Sequence, residues 1–213
     1  MDLGHICFDL DGTIVNSFPT IYKCTLRTLE HLNISDPLEE KGLYDMIGYH
    51  FLDIFEKLKI NVADVESFIN IYKTYYFEYI DDSVLYPGTL VTLKSLKDNG
   101  LKISLLTTKA QDQADMLIDH FELRPFFDAV YGRKNGLAIK PDAEPLLAIC
   151  NELDVNPSST LMVGDSDLDI RCGKNAGAKT CAVSYGYRKL AVLREENPDY
   201  IIHNIPDLLQ VVF

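Results

Sequence analysis

Runs of lysine and arginine are missing from this chain. Adjacent basic residues go no further than pairs such as Arg133-Lys134, and the 213 residues carry a net charge of −12. A nucleic-acid binder needs a basic stripe to neutralise phosphates, so this balance argues against nucleic acid as a partner. Long apolar runs are missing as well. None approaches the ~20 residues that cross a bilayer, and the N-terminus has no basic region followed by a long apolar stretch. Neither a membrane span nor a signal peptide is expected. Cysteine is scarce and unpatterned: the five, at 7, 24, 150, 172 and 181, form no CxxC pair and no Cys/His metal spacing. An odd count without a framework fits a reducing compartment, and the expected location is cytoplasmic. Cys7 and Cys181 lie in apolar strand-like runs, where cysteine usually serves as a small buried hydrophobe. Internal repeats and low-complexity segments are absent too.

What remains has the composition of an ordinary globular protein, 47% hydrophobic and 24% charged. The length suits one or two domains with a substantial core. Short apolar strands are expected at 5–9, Leu101–Thr107, Phe127–Tyr131, Thr160–Gly164, Lys179–Ser184 and Asp199–His203. Helical segments fall between them at 88–99, 110–122, 142–153 and 167–176. Leu101–Leu106 and Leu161–Asp165 are nearly continuous apolar runs, as in strands covered on both faces. This β-α alternation predicts an α/β fold, a parallel sheet with right-handed crossovers whose ligands bind at the strands' carboxyl ends.

Residues 16–85 break the alternation and carry helical patterns only. Phe18, Ile21, Tyr22, Leu26 and Leu29 form one stripe; Phe51, Ile54, Phe55 and Leu58 a second; Val65, Phe68, Ile69, Tyr72, Tyr75, Tyr76 and Tyr79 a third. This is an all-helical insertion that rejoins the sheet near Tyr86-Pro87-Gly88. The tyrosine stripe reads as the core-facing side of an amphipathic helix. Gly48-Tyr49-His50 reads either as a plain interhelical turn or as a segment that sets specificity.

The chemistry begins in the first strand. In His5-Ile6-Cys7-Phe8-Asp9-Leu10-Asp11-Gly12-Thr13, the period of two starts Asp9 and Asp11 on the same side. Carboxylates held together repel unless a cation or a shared proton relieves them. Asp165-Ser166-Asp167-Leu168-Asp169 is a second acidic cluster. Its D-x-D-x-D spacing is that of an EF-hand opening, but Ile170 stands at the sixth position and Ala176 at the twelfth, where Gly and Glu are needed. No G-x-S-x-G elbow surrounds Ser166, so a serine hydrolase is not indicated. The better reading is that Asp165, like Asp9, ends a buried strand of one sheet. Carboxylates converging there call for a hard cation, Mg²⁺ rather than zinc. Thr107-Thr108-Lys109 follows another buried strand, where a hydroxyl and backbone N–H groups can meet an anion at a helix N-terminus. Lys140-Pro141 is expected to open a further helix, with Pro141 in its first turn, and Lys140 supplies a positive charge.

The ordered set Asp9-Leu10-Asp11-Gly12-Thr13, Thr107, Lys140-Pro141 and Gly164-Asp165-Ser166 with Asp169 resembles the four motifs of the haloacid dehalogenase superfamily. The helical insertion resembles that family's C1 cap, and the likeness is nearest to phosphoglycolate-phosphatase-like members. Asn16, Thr108 and Ala143 depart from the usual pattern without removing a catalytic group. The resemblance implies a Rossmann-like catalytic core over 1–15 and 86–213, with a helical cap over 16–85 that closes on the substrate. It implies that Asp9 attacks phosphorus and that Asp11 is the general acid/base. Thr107, Thr108 and Lys140 would bind the phosphoryl group. Asp9, Asp165, the backbone carbonyl of Asp11, and Asp169 in support would hold Mg²⁺. The expected activity is Mg²⁺-dependent hydrolysis of a small phosphorylated metabolite, with 2-phosphoglycolate foremost. A pyrophosphatase, a sugar-phosphate mutase and a catalytically idle binding protein are the alternatives. Asp11 argues against the dehalogenase branch, because a halide leaving group needs no acid.

Overall fold

His5–Phe8, here β1, is inaccessible along its whole length, as a strand flanked on both sides and covered on both faces must be. The computed structural model describes residues 3–213. After β1 come the two-residue strand β2 (Val15–Asn16), four helices, α1 (Phe18–His31), α2 (Glu40–Tyr44), α3 (Phe51–Leu58) and α4 (Val65–Tyr76), and the short strand β3 (Val84–Leu85). Helix and strand then alternate through α5 (Thr89–Asp98), β4 (Lys102–Ala110), α6 (Gln111–His120), β5 (Ala129–Arg133), α7 (Glu144–Glu152) and β6 (Thr160–Gly164). The last elements are α8 (Asp167–Asn175), β7 (Lys179–Val183), α9 (Leu190–Glu195), β8 (Tyr200–Ile202) and α10 (Leu208–Val212). Contacts divide the chain into two units, Met1–Val15 with Leu85–Phe213, and Asn16–Val84.

The first unit is an α/β Rossmann-like fold. Among the described residues its sheet has six strands in the order β5-β4-β1-β6-β7-β8, each pairing parallel. The register aligns Phe8 with Leu105 on one side and Val163 on the other. The residues that follow, Asp9, Leu106 and Gly164, therefore fall side by side. Cys7, Leu106, Met162, Leu146, Ile149, Cys150 and Cys172 pack α7 and α8 against the sheet. All five cysteines are buried thiols. At the opposite end of β1, the buried His5 bridges its neighbours, Nδ1 to Thr160 Oγ1 at 3.0 Å and Nε2 to Ser104 Oγ at 2.8 Å.

The second unit is a helical cluster with an aromatic centre. Phe51, Phe55, Phe68 and Tyr72 meet at centroid separations of 4.8–5.4 Å, the range in which edge and stacked contacts add to simple burial. Tyr72 and Tyr76 are buried and Tyr75 binds His31, so the tyrosine stripe faces its own core. His50 caps α3, accepting from Leu52 N, and Asp64 caps α4, accepting from Ser67 N. Among the described residues, no helix is long and apolar enough to cross a membrane.

Three local expectations are corrected. The segment 16–85 is not purely helical, because β2 and β3 pair where the chain leaves and rejoins the sheet unit. Next, β4 runs on to Ala110 rather than ending at Thr107, with its register to β5 shifting between Leu106 and Ala110. Thr107 and Thr108 thus lie in extended, irregular backbone, not at the mouth of α6 (Lys109 N–H instead donates to Thr107 Oγ1 at 3.2 Å). Finally, Pro141 precedes α7 instead of opening it. A turn closes from Asp142 N to Ile139 O, and Pro145 takes the first-turn position.

Candidate active site

Four elements of the sheet unit deliver the acidic and basic groups. Asp9 follows β1 directly, with its N–H held by Val163 O at 2.9 Å. Asp165 follows β6 in the same way, and Asp169 sits in the first turn of α8. Lys140, from the loop before α7, reaches between them and is 4% exposed. Its Nζ donates to Asp9 Oδ1 at 2.6 Å, Asp169 Oδ1 at 2.6 Å and Leu106 O at 2.8 Å, which uses all three ammonium protons.

Carboxylate oxygens of Asp9, Asp165 and Asp169 lie within 4.8 Å of one another, and all three residues are buried. Burial raises the Asp9 carboxyl well above its ordinary value; Lys140 opposes this, while Asp169 and Asp165 add to it. Asp165 is pushed up to about 7 by burial and by Asp169, against the pull of the Tyr187 N–H, Arg188 and Lys140. Lys140 moves upward because the carboxylates of Asp169 and Asp9 outweigh its own burial. A cluster that holds protons this readily is short of positive charge. Its donors are all hard oxygens, the set that suits Mg²⁺ and not a thiolate-seeking metal.

Backbone geometry fixes these side chains closely. Asp165 Oδ2 accepts from Tyr187 N at 2.6 Å. Gly12, at φ +87°, and Gly186 both abut the Asp165 carboxylate, and a Cβ on either would overlap it. The helix cap beside this carboxylate is Ser166 and not an aspartate. Ser166 Oγ accepts from Asp169 N, and Asp169 Oδ2 in turn accepts from Ser166 N at 3.0 Å and Ser166 Oγ at 2.6 Å. Asp167 turns elsewhere, pairing at 3.4 Å with the buried Arg188.

The structure thus brings Asp9, Lys140, Asp165 and Asp169 into one contact network. Asp11 stands beside it, with Oδ2 3.3 Å from Lys109 Nζ. Thr107 is buried at the same sheet edge and Thr108 is half-buried next to it. Sequence reasoning missed the pairing of Lys109 with Asp11 and the anchoring of Asp165 by the Tyr187 N–H. A period of two from Thr107 would have put Lys109 on the same side as the Thr107 hydroxyl.

The profile of the haloacid dehalogenase-like hydrolases matches residues 6–183. The chain belongs to this family. Other proteins resemble it along its whole length. Pyrophosphatase PpaX of Bacillus mycoides is 36% identical over 213 residues, 100% of this chain and 98% of that protein. Pyrophosphatase PpaX of Halalkalibacterium halodurans is 34% identical over 213 residues, again 100% of this chain and 98% of that protein. Among solved structures, a predicted phosphoglycolate phosphatase of Haemophilus somnus superposes with a TM-score of 0.88 at 25% identity, covering 100% of this chain and 99% of that one. A haloacid dehalogenase-like hydrolase of Streptococcus pneumoniae, 24% identical with a TM-score of 0.89 over 100% and 99% of the two chains, shares the fold.

Proposed function

We propose that this hydrolase is a Mg²⁺-dependent phosphatase that works through a phosphorylated aspartate. The observation that carries the reading is Asp9, a buried carboxylate at the end of the central strand, bound by Lys140 at 2.6 Å and ringed by Asp165 and Asp169. An Asp9 oxygen attacks phosphorus, the bond from phosphorus to the leaving oxygen breaks, and Asp11 gives that oxygen a proton. Asp11 then takes a proton from water, whose oxygen attacks the same phosphorus and releases phosphate from Asp9. Thr107 and Thr108 hydrogen-bond the phosphoryl oxygens, while Lys140 offsets charge on Asp9 and on the group in transfer. Asp9 and Asp165 would hold Mg²⁺ with carboxylate oxygens and Asp11 with its carbonyl, Asp169 bracing the set through Lys140 and Ser166. When bound, the ion supplies the positive charge that the crowded carboxylates and the phosphoryl oxygens require. In this reading the sheet unit carries the chemistry and Asn16–Val84 is the family's cap.

The substrate is a small phosphorylated metabolite. A phosphomonoester of the 2-phosphoglycolate kind suits the acid at Asp11, because an alkoxide needs a proton to leave. Inorganic pyrophosphate is the second reading, favoured by the 36% identity to a protein named a pyrophosphatase. Hydrolysis of phenyl phosphate, 2-phosphoglycolate and pyrophosphate, with and without Mg²⁺, tests both. Phosphate release in the presence of the metal is expected. The substitution D9N should lower kcat by ~10³-fold or more, as loss of a nucleophile does. Folded protein that is inert on every substrate, or a fully active D9N, would end the reading.

A further inference from the structure

Each of the two aspartates in Asp9-Leu10-Asp11 has its own lysine. Lys140 serves Asp9, and Lys109 lies 3.3 Å from Asp11 Oδ2 with side chains only 7% and 12% exposed. Ion pairs shielded in this way carry a desolvation cost that surface pairs such as Lys94 with Asp98, at 67% and 60% exposure, avoid. The sheet does not call for the pair: Lys109 lies where the register between β4 and β5 shifts. Its backbone N–H holds Thr107 Oγ1, so the phosphoryl-binding hydroxyl and the lysine belong to one turn.

The placement has a chemical consequence that rests on the reading of Asp9 as nucleophile and Asp11 as acid. In an in-line displacement the leaving group departs on the side away from Asp9, where Asp11 works. An alkoxide with no further charge on it asks only for the Asp11 proton. A leaving group with a further negative charge of its own faces a like charge as Asp11 gives up its proton and becomes a carboxylate. Lys109 cancels that repulsion and adds a cation beside the departing group. We propose that Lys109 is a positioning and specificity-determining residue, which through its pair with Asp11 selects substrates whose leaving group is itself an anion. Two sources share this chemistry, the carboxylate-bearing alcohol of 2-phosphoglycolate and the phosphate of pyrophosphate.

The test compares kcat/KM of the full chain with Mg²⁺ on pyrophosphate, 2-phosphoglycolate, ethyl phosphate and phenyl phosphate. Wild type should favour at least one anionic-leaving substrate over ethyl phosphate by ~10-fold or more. In K109M that preference should shrink by ~10-fold or more, mainly through KM, and K109R should retain most of it. The substrate whose preference collapses further identifies the source of the anion. Should K109M fail its thermal melt, K109Q reads the same ratio. Wild type without the preference would overturn the proposal, as would a folded variant that keeps it. So would a K109M whose loss follows the basicity of the leaving group, largest for ethyl and least for phenyl phosphate, since Lys109 would then act only on proton transfer. Wild type inactive on all four substrates would instead overturn the reading of the site itself.

Discussion

Tyr187 and Asp165, 22 residues apart, are joined by a 2.6 Å hydrogen bond from backbone N–H to Oδ2. The approach is close enough that a Cβ on Gly186, the residue before Tyr187, would collide with that carboxylate. In G186A the added methyl must displace either the loop or Asp165. The Mg²⁺ concentration that gives half-maximal rate should rise by roughly 10–100-fold, the usual cost of disturbing a group that orients a metal ligand. A metal titration of the hydrolysis rate checks this. An unchanged midpoint in a folded G186A would separate the loop from metal binding.

Asp165 should also couple metal binding to pH. Its folded value is about 7 against an ordinary 3.8. Between those values the folded state holds more protons at this carboxyl than the unfolded chain does, so the contribution of Asp165 to metal-free stability is greatest in acid and is lost as pH rises through about 7. Mg²⁺ has to displace that proton. The rise in melting temperature on adding saturating Mg²⁺ should therefore be small near pH 5 and grow to a plateau above about pH 7.5. Melts across that range, with D165N as the variant that loses the trend, decide it; a shift independent of pH would refute the coupling.

His5 makes the opposite demand. Burial lowers its pKa to about 4 from 6.5, against an upward pull from Asp128. Below 6.5 the unfolded chain takes up the proton first, so this residue removes stability as pH falls from 6.5 towards 4. The full effect is about 3 kcal/mol. The imidazole spans Thr160 and Ser104, so on protonation both ring nitrogens donate and the hydroxyl that had donated to the ring must turn to accept. Urea unfolding at pH 7 and pH 4.5 should show a steeper loss for wild type than for H5Q. Equal slopes would mean that His5 takes no part in acid unfolding.

The sequence revealed the site more fully than the elements around it. Asp9 and Asp165 could be read because strand ends in a parallel sheet are marked by apolar runs that stop at a polar residue; Thr107 was reached by the same rule although its strand continues to Ala110, and Lys140 only as a charge beside Pro141. Three features were hidden. The extension of β4 to Ala110 depends on a register shift against β5, which local pattern does not encode. The turn from Ile139 to Asp142 and the start of α7 at Glu144 flank Lys140, whose ammonium binds both Asp9 and Asp169, partners far away in sequence that local pattern does not encode. The pairing of β2 with β3 joins residues 15–16 to 84–85, too short a match for periodicity to detect.

Asp169 closes the cap of α8 with one oxygen and holds Lys140 with the other. The helix start and the charge network of the site are thus one structure, without a seam between scaffold and chemistry. A descendant of this protein could not drift into an inert binding role by shedding Asp169 alone, because the same change would fray a helix packed on the central sheet. Loss of function by that route would have to come with a replacement cap and a new partner for Lys140, acquired together.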